Sequence, residues 1–252
     1  MTFVVAADAY DRFMGRYSRS LAPQLADLAG VRPGQRALDV GCGPGALTTE
    51  LVGRLGAEAV AAADPSEPFV DAARRRHPGV EVAVAGAEDL PFEDGAFDAS
   101  LAQLVVSFMS DPTAGLAEMR RVTRAGGVVA ACVWDLAGGK APLSPFWRAV
   151  AELDPDARDE SEQPGAREGH LAALFEAAGL DDVEADELWL HVEHERFEEW
   201  WDPFTLGVGP AGAYLAGLDA EAGDELRERC RLLLGDDPVR LDVRAWAARG
   251  RA

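Results

Sequence analysis

The chain has 252 residues, 48% hydrophobic and 27% charged, and its 24 basic against 44 acidic side chains leave a formal net charge of -20. A chain of that length can bury a substantial core as one large domain or a domain with a cap. A field of that sign repels a duplex or an anionic membrane surface, so nucleic acid and lipid are not expected partners. No run of eighteen apolar residues is present. The stretch "MTFVVAADAYDRFMGRYSRS" lacks the basic start of a secretory signal. Cys42, Cys132 and Cys230 are odd in number and widely spaced, which fits neither a disulfide framework nor a C-x-x-C metal site. A reducing cytoplasm and no metal are expected.

Residues 18–29 read as a short helix that ends at "VRPG". From residue 36 strands and helices alternate: "RALDV" (36–40) is a buried strand, "ALTTELVGRL" (46–55) has helical spacing, and "AEAVAAAD" (57–64) is a second strand. "SEPFVDAARRRH" (66–77) is a helix with Ser66 at its N-cap, and its basic end, the one dense basic patch, complements the helix dipole. Strands follow at 80–86, 96–105 and 127–134, with a helix at 112–124 that "AGG" stops. Continuous apolar strands between amphipathic helices imply an α/β fold with a doubly wound, mostly parallel sheet, seven-stranded once two later strands are added. Ligands of such sheets lie over the carboxyl ends of the strands.

After residue 135 the rhythm changes. Gly-, Pro- and acid-rich segments flank a small aromatic helix around Phe146 and Trp147, a helix is expected over 170–180, and strands over 182–195 and 239–249. The excursion between those two strands is too long for a hairpin turn and is expected to fold over the sheet as a helical cap at about 196–238. Three parts are therefore expected: a helical lid at 1–35, a ligand-binding core at 36–135, and the rest of the sheet with its cap at 136–252.

The stretch "LDVGCGPGALT" (38–48) carries the chemistry. Gly41, Gly43 and Ala46 fit the G-x-G-x-x-A fingerprint of dinucleotide sites, while Gly41, Gly43 and Gly45 equally fit a G-x-G-x-G turn, and a ligand-free strand-to-helix turn fits both. Charge discriminates better. Asp39, at the end of the first strand, would repel a pyrophosphate but attract an ammonium and a sulfonium, the two cations of S-adenosylmethionine. Asp64, nineteen residues after Gly45 at the end of the second strand, suits ribose hydroxyls in either kind of site. A nicotinamide-dependent oxidoreductase is the rival reading, and a protein that binds the cofactor without moving a methyl group is the third.

Four pieces, "LDVGCGPGALT", "ADPS", "AEDLPFEDGAFD" (87–98) and "EMRRVTRAGGVV" (118–129), stand in an order and spacing that resembles class I S-adenosylmethionine-dependent methyltransferases. The resemblance is nearest to the ubiquinone/menaquinone-biosynthesis branch (methyltransferase type 11) and spans about residues 36–134; "YDRFMGRYS" (10–18) resembles a lid segment of some members. It implies a Rossmann-like fold, S-adenosyl-L-methionine as cofactor and a methyl transfer to a small, quinone-like or natural-product-like acceptor. It also implies a glycine platform at Gly41, Cys42, Gly43 and Gly45, with Asp39, Gln103 and Leu104 toward the methionine. Asp64 takes the ribose, Pro65 and Ser66 lie beside the adenine, and Ala87 and Glu88 present it. Tyr10 and Arg16 reach the cofactor from the lid. Gly86 stands where the family commonly has an acid for the adenine amino group, which leaves Glu88 or a water for that contact.

Methyl transfer from a sulfonium needs positioning and exclusion of water first, and a base only when the acceptor must lose a proton. His191, His194 and Tyr17 are the candidates; the two histidines, three apart on a strand, face opposite sides. Phe108, Trp134, Trp147, Trp200, Trp201 and Phe204 are expected to wall an apolar acceptor pocket. A monomer or homodimer is the expected state.

Overall fold

The computed structural model describes residues 7–252; the apolar residues 2–6 of the N-terminal stretch lie outside them. α1 (Ala7–Tyr10) runs through a π-helical turn (Asp11–Gly15) into α2 (Arg16–Leu28), whose buried stripe includes Tyr17, Leu21 and Leu25. The alternating half follows: β1 (Ala37–Val40), α3 (Ala46–Leu55), β2 (Val60–Asp64), α4 (Glu67–Arg76), β3 (Glu81–Val84), β4 (Phe97–Gln103), α5 (Pro112–Val122) and β5 (Thr123–Trp134). The last part comprises α6 (Ser144–Leu153), α7 (His170–Ala177), β6 (Asp181–His194), α8 (Phe197–Trp201), α9 (Gly209–Ala216), α10 (Ala220–Leu234) and β7 (Val239–Arg251). The boundaries expected after residues 35 and 135 fall between α2 and β1 and just past the end of β5.

The seven strands form one sheet in the order β3-β2-β1-β4-β5-β7-β6. Six run in one direction, and β7 lies antiparallel between β5 and β6, with Ala131 opposite Ala248 on one side and Leu188 opposite Ala245 on the other. β1 and β2 are buried on both faces, as their unbroken apolar runs require. Leu38, Val40, Ala61 and Ala63 feed the core under α5 and α7, whereas Ala37 and Ala62 face the core under α2 and α3. The chain reverses its winding between β1 and β4, which opens a crevice at their carboxyl ends. Because β6 ends and β7 begins at that same end, α8, α9 and α10 are placed beside the crevice by topology alone.

Some boundaries differ from expectation for local reasons. Residues 57–59 form a 3₁₀ turn, so β2 starts only at Val60. β5 begins at Thr123, not Gly127: the Thr123 hydroxyl donates to the Met119 carbonyl at 2.7 Å and pairs with Ser100 Oγ at 2.7 Å, so the helix ends and the strand begins on one residue. The stretch after Arg196 breaks into α8, a 3₁₀ turn (Asp202–Leu206) and α9, since Gly207 and Gly209 take φ of 70° and 68°.

One buried ion pair ties the last strand to the sheet. Asp135, fully buried just after β5, accepts from Arg244 Nη2 at 2.7 Å, Trp246 Nε1 at 3.0 Å and the Gly138 amide at 2.8 Å. Removing Asp135 leaves the Trp246 indole N–H and the Gly138 amide without their acceptor, while Arg244 keeps Glu187 at 2.9 Å. Asp135→Ala is therefore expected to lower the unfolding free energy by about 2 kcal/mol in urea titrations, and an effect under about 0.5 kcal/mol would contradict this account.

Candidate functional site

A cavity of about 250 Å³ occupies the crevice. Its floor is the glycine loop. Gly41 has φ of 70°, and a Cβ there would stand 2.3 Å from the Val105 side chain, so only glycine lets the loop pass under the turn that follows β4. The Gly43 amide donates to Asp64 Oδ2 at 2.8 Å, and the Ser66 amide donates to Asp64 Oδ1 at 2.9 Å. One carboxylate thus stitches the turn after β1 to the turn after β2. Burial pushes the Asp64 carboxyl up, and the two amides pull it back.

The walls come from three other segments. Gly86, Ala87 and Glu88 follow β3. Glu88 Oε1 accepts the amides of Ser110 and Asp111 at 2.7 and 3.2 Å, while its Oε2 stands 3.1 Å from where a Cβ on Gly86 would be. Gln103 ends β4; its Nε2 donates to the Ser18 carbonyl at 3.0 Å, which fixes the amide, and its buried Oε1 has no hydrogen-bond partner. Leu104 follows with φ of 61°, a left-handed backbone that a leucine adopts only when its surroundings hold it there. Tyr10 closes the cavity from the lid, 3.8 Å from the Cβ position of Gly43 and with its ring 5.2 Å from that of Phe69.

The cavity therefore gathers Tyr10, Gly41, Gly43, Asp64, Pro65, Ser66, Ala87, Glu88, Gln103 and Leu104 from the expected set. Asp39, Cys42, Gly45 and Arg16 do not line it. Asp39 is turned beneath the loop, 1% exposed, and accepts the Thr48 hydroxyl at 2.6 Å, locking the first turn of α3. Burial pushes its carboxyl up to about 7, against the Thr48 bond that lowers it. Gly45 has φ of 97°, and the His77 ring packs over it at 3.1 Å from its Cβ position.

The expected bases stand elsewhere. His191 is exposed and bonded to Asp242 at 2.6 Å. His194 is buried on the opposite face of β6, where Arg16 Nη1 donates to its Nδ1 at 3.1 Å. Burial and the Arg16 charge push His194 down to about 4, so it is neutral at pH 7. A guanidinium only donates, so the ring proton sits on Nε2 and donates to the Tyr17 hydroxyl at 3.2 Å. His194, Arg16 and Tyr17 thus pin α2 to β6, and none of them borders the large cavity.

A smaller cavity of about 50 Å³ adjoins the first, sharing Tyr10, Leu104 and Phe108 with it. Of the six aromatic residues expected to wall an acceptor pocket, Phe108 and Trp134 line it. Trp147, Trp200, Trp201 and Phe204 pack instead with Phe146 and Phe197 into an aromatic cluster, for example Phe146 stacked on Phe204 at 4.8 Å and Trp200 at 4.9 Å from Phe204. Large rings bury the most area against one another, and here that builds the core of the cap. Sequence reading missed Glu160 and Gln163, which line the small cavity from the loop between α6 and α7. Among the described residues no group of three or more His, Cys, Asp or Glu is placed to hold a metal. No helix among them is long and apolar enough to cross a membrane.

Residues 38–131 match the family described as Methyltransferase domain. The chain is 33% identical over 196 residues to demethylmenaquinone methyltransferase of Mycolicibacterium vanbaalenii, covering 73% of this chain and 81% of that one. It spans only 36% to 58% of the length of three further relatives. Among these is malonyl-[acyl-carrier protein] O-methyltransferase of Serratia marcescens, 33% identical over 57% of this chain. Its fold is similar, with a TM-score of 0.57 at 18% identity, to that of an N-methyltransferase of Haemonchus contortus solved with phosphomonomethylethanolamine and S-adenosylhomocysteine. That likeness covers 98% of this chain and 60% of the other.

The buried Asp39 makes a pH prediction. Its folded pKa, about 7, exceeds the unfolded value near 3.8, so the folded chain holds a proton that the unfolded chain has lost. That contribution is complete below pH 4 and disappears as pH rises through about 7. Between pH 5 and 8 the wild type is expected to lose about 3 kcal/mol of stability relative to Asp39→Asn in urea titrations. The opposite slope from His194, lowered to about 4, is common to both proteins. Equal slopes in the two would show that Asp39 titrates normally.

Proposed function

The chain belongs to the class I S-adenosylmethionine-dependent methyltransferases, and from that premise we propose that it moves a methyl group from S-adenosylmethionine to a small, ring-bearing acceptor. The observation that carries the reading is the unpartnered, buried Gln103 Oε1 on a cavity wall that also bears Asp64 and Glu88. These are acceptors and carboxylates, suited to a ligand that donates hydrogen bonds and carries positive charge. A pyrophosphate needs the opposite, and the Gly43 amide that would cradle one is already engaged by Asp64. Nothing favours the nicotinamide reading.

In this reading Gln103 Oε1 accepts from the methionine ammonium, Asp64 accepts from the ribose hydroxyls through lone pairs its two amide donors leave open, and Gly41 and Gly43 support the chain between. Pro65, Ser66 and Ala87 flank the adenine. Glu88 takes over from the acid absent at Gly86: Oε1 is held by two backbone amides, which leaves Oε2 beside Gly86 to accept from the adenine amino group. When bound, the cofactor supplies an electrophilic methyl on sulfur, whose bonding pair departs with the thioether. The chain's own work is to hold that methyl beside the second cavity and to keep water out, which Tyr10, Leu104 and Phe108 do by walling both spaces. The relatives named demethylmenaquinone methyltransferase support a ring-bearing acceptor.

Calorimetry tests the adenine contact. S-adenosylhomocysteine is expected to bind wild type at least about tenfold more tightly than its inosine analogue, whose 6-oxo group cannot donate to Glu88. Glu88→Gln, which can donate to that oxygen, is expected to narrow the ratio to about twofold. Equal binding of both ligands by wild type would remove Glu88 from the adenine site, and absence of S-adenosylhomocysteine binding would remove the cofactor assignment altogether.

A further inference from the structure

The small cavity holds polar groups that neither the fold nor the cofactor site uses. Glu160 lies on its wall, 6% exposed, with Oε2 accepting the Trp147 indole N–H at 2.8 Å and Oε1 accepting Gln163 Nε2 at 3.3 Å. Two other side chains lining the same cavity carry buried atoms with no partner: the Trp134 indole N–H and Gln163 Oε1. Apart from Ser107 and Tyr10 the rest of the wall is apolar, with Phe13, Met14, Leu143 and Val208 among it. A buried donor and a buried acceptor left unpaired, beside a carboxylate in an apolar wall, form an incomplete network.

We propose that Glu160 is the proton acceptor of the reaction and that this cavity takes a single-ring acceptor bearing a phenol-type hydroxyl. The inference rests on the methyl-transfer reading above and names its acceptor class. A hydroxyl is the group that matches this lining, because it can both donate to a carboxylate and accept from an indole N–H. An ammonium satisfies only the carboxylate. Size agrees: about 50 Å³ admits three to five waters, roughly 100–150 Å³ of liquid, which is the volume of one aromatic ring.

The step balances within the two cavities. As the hydroxyl oxygen forms its bond to the methyl carbon, the carbon–sulfur bond would break with its pair left on the neutral thioether; the hydroxyl proton passes to Glu160, and the carboxylate becomes a neutral acid. One negative and one positive charge vanish together in a largely apolar recess, which favours the change more than bulk solvent would. Burial pushes the Glu160 carboxyl up and Asp159 adds to this, while the bonds from Trp147 and Gln163 pull it down; Tyr10, on the same cavity, is held protonated by burial and by Asp64 and Asp11. Glu160 is thereby a stronger base toward a phenol than a carboxylate in water.

The test uses 4-nitrophenol as the probe, in the cofactor-free protein, with phenolate absorbance followed against pH. Bound to wild type, the probe is expected to ionise at a pH at least about one unit higher than when bound to Glu160→Gln, a tenfold change in its ionisation constant, because a phenolate beside a carboxylate is disfavoured. Trp134→Phe is expected to weaken binding about fivefold through loss of the N–H donor. Unchanged far-ultraviolet circular dichroism and S-adenosylhomocysteine binding in both variants show that the fold and the cofactor site are intact. Identical ionisation in wild type and Glu160→Gln, or no binding of the probe, overturns the proposal. Failure of S-adenosylhomocysteine to bind wild type overturns the methyl-transfer reading instead, and the probe titration reports independently of it.

Discussion

A single carboxylate holds the cavity in shape. Asp64 receives one backbone amide from the turn after β1 and one from the turn after β2, so the two loops at the winding reversal of the sheet cannot part without uncovering a buried charge. Everything laid over them depends on that tie: Tyr10 rests against the loop at Gly43, and Gly41 passes beneath Val105 at a distance no side chain tolerates. The lid is fastened separately, by the neutral His194 that accepts from Arg16 and donates to Tyr17. Floor and roof are thus fixed by different parts of the chain, and the cavities lie between.

The electrostatics follow from the same layout. Asp39, Asp64 and Glu88 surround or underlie a space with no basic side chain on its lining. Burial raises the first two carboxyls, and Asp64 raises Asp39 further. Two acids that disfavour each other's charge in isolation both become favourable once a cation stands nearby. The arrangement is thus disposed toward a positively charged guest, and the relatives that share the methyltransferase family are consistent with that preference.

Much of this was legible in the residues. The glycine loop, Asp64, Glu88 and Gln103 sit at strand ends whose positions a parallel α/β alternation dictates, so their convergence follows once the strands are recognised. The fate of other residues was not local. Arg16 and His194 are 178 positions apart, and only the docking of α2 on β6 makes them partners. Glu160 and Gln163 lie in a Gly-, Pro- and acid-rich loop that reads as a solvated connection; their burial is decided by Trp147, whose indole N–H needs an acceptor and finds Glu160. The ring content of the cap is visible in sequence, while the choice between facing a void and facing another ring is made only in packing.

Leu104 separates the two cavities while holding a backbone conformation that a leucine seldom accepts. A partition kept under tension is also a dividing line for change over generations. Sequence drift on the far side of it, in the loop carrying Glu160 and in the helices between β6 and β7, can alter which guest is admitted while the nucleoside half stays as it is. Residues 38–131, the part that matches the methyltransferase domain, end before that loop and those helices begin.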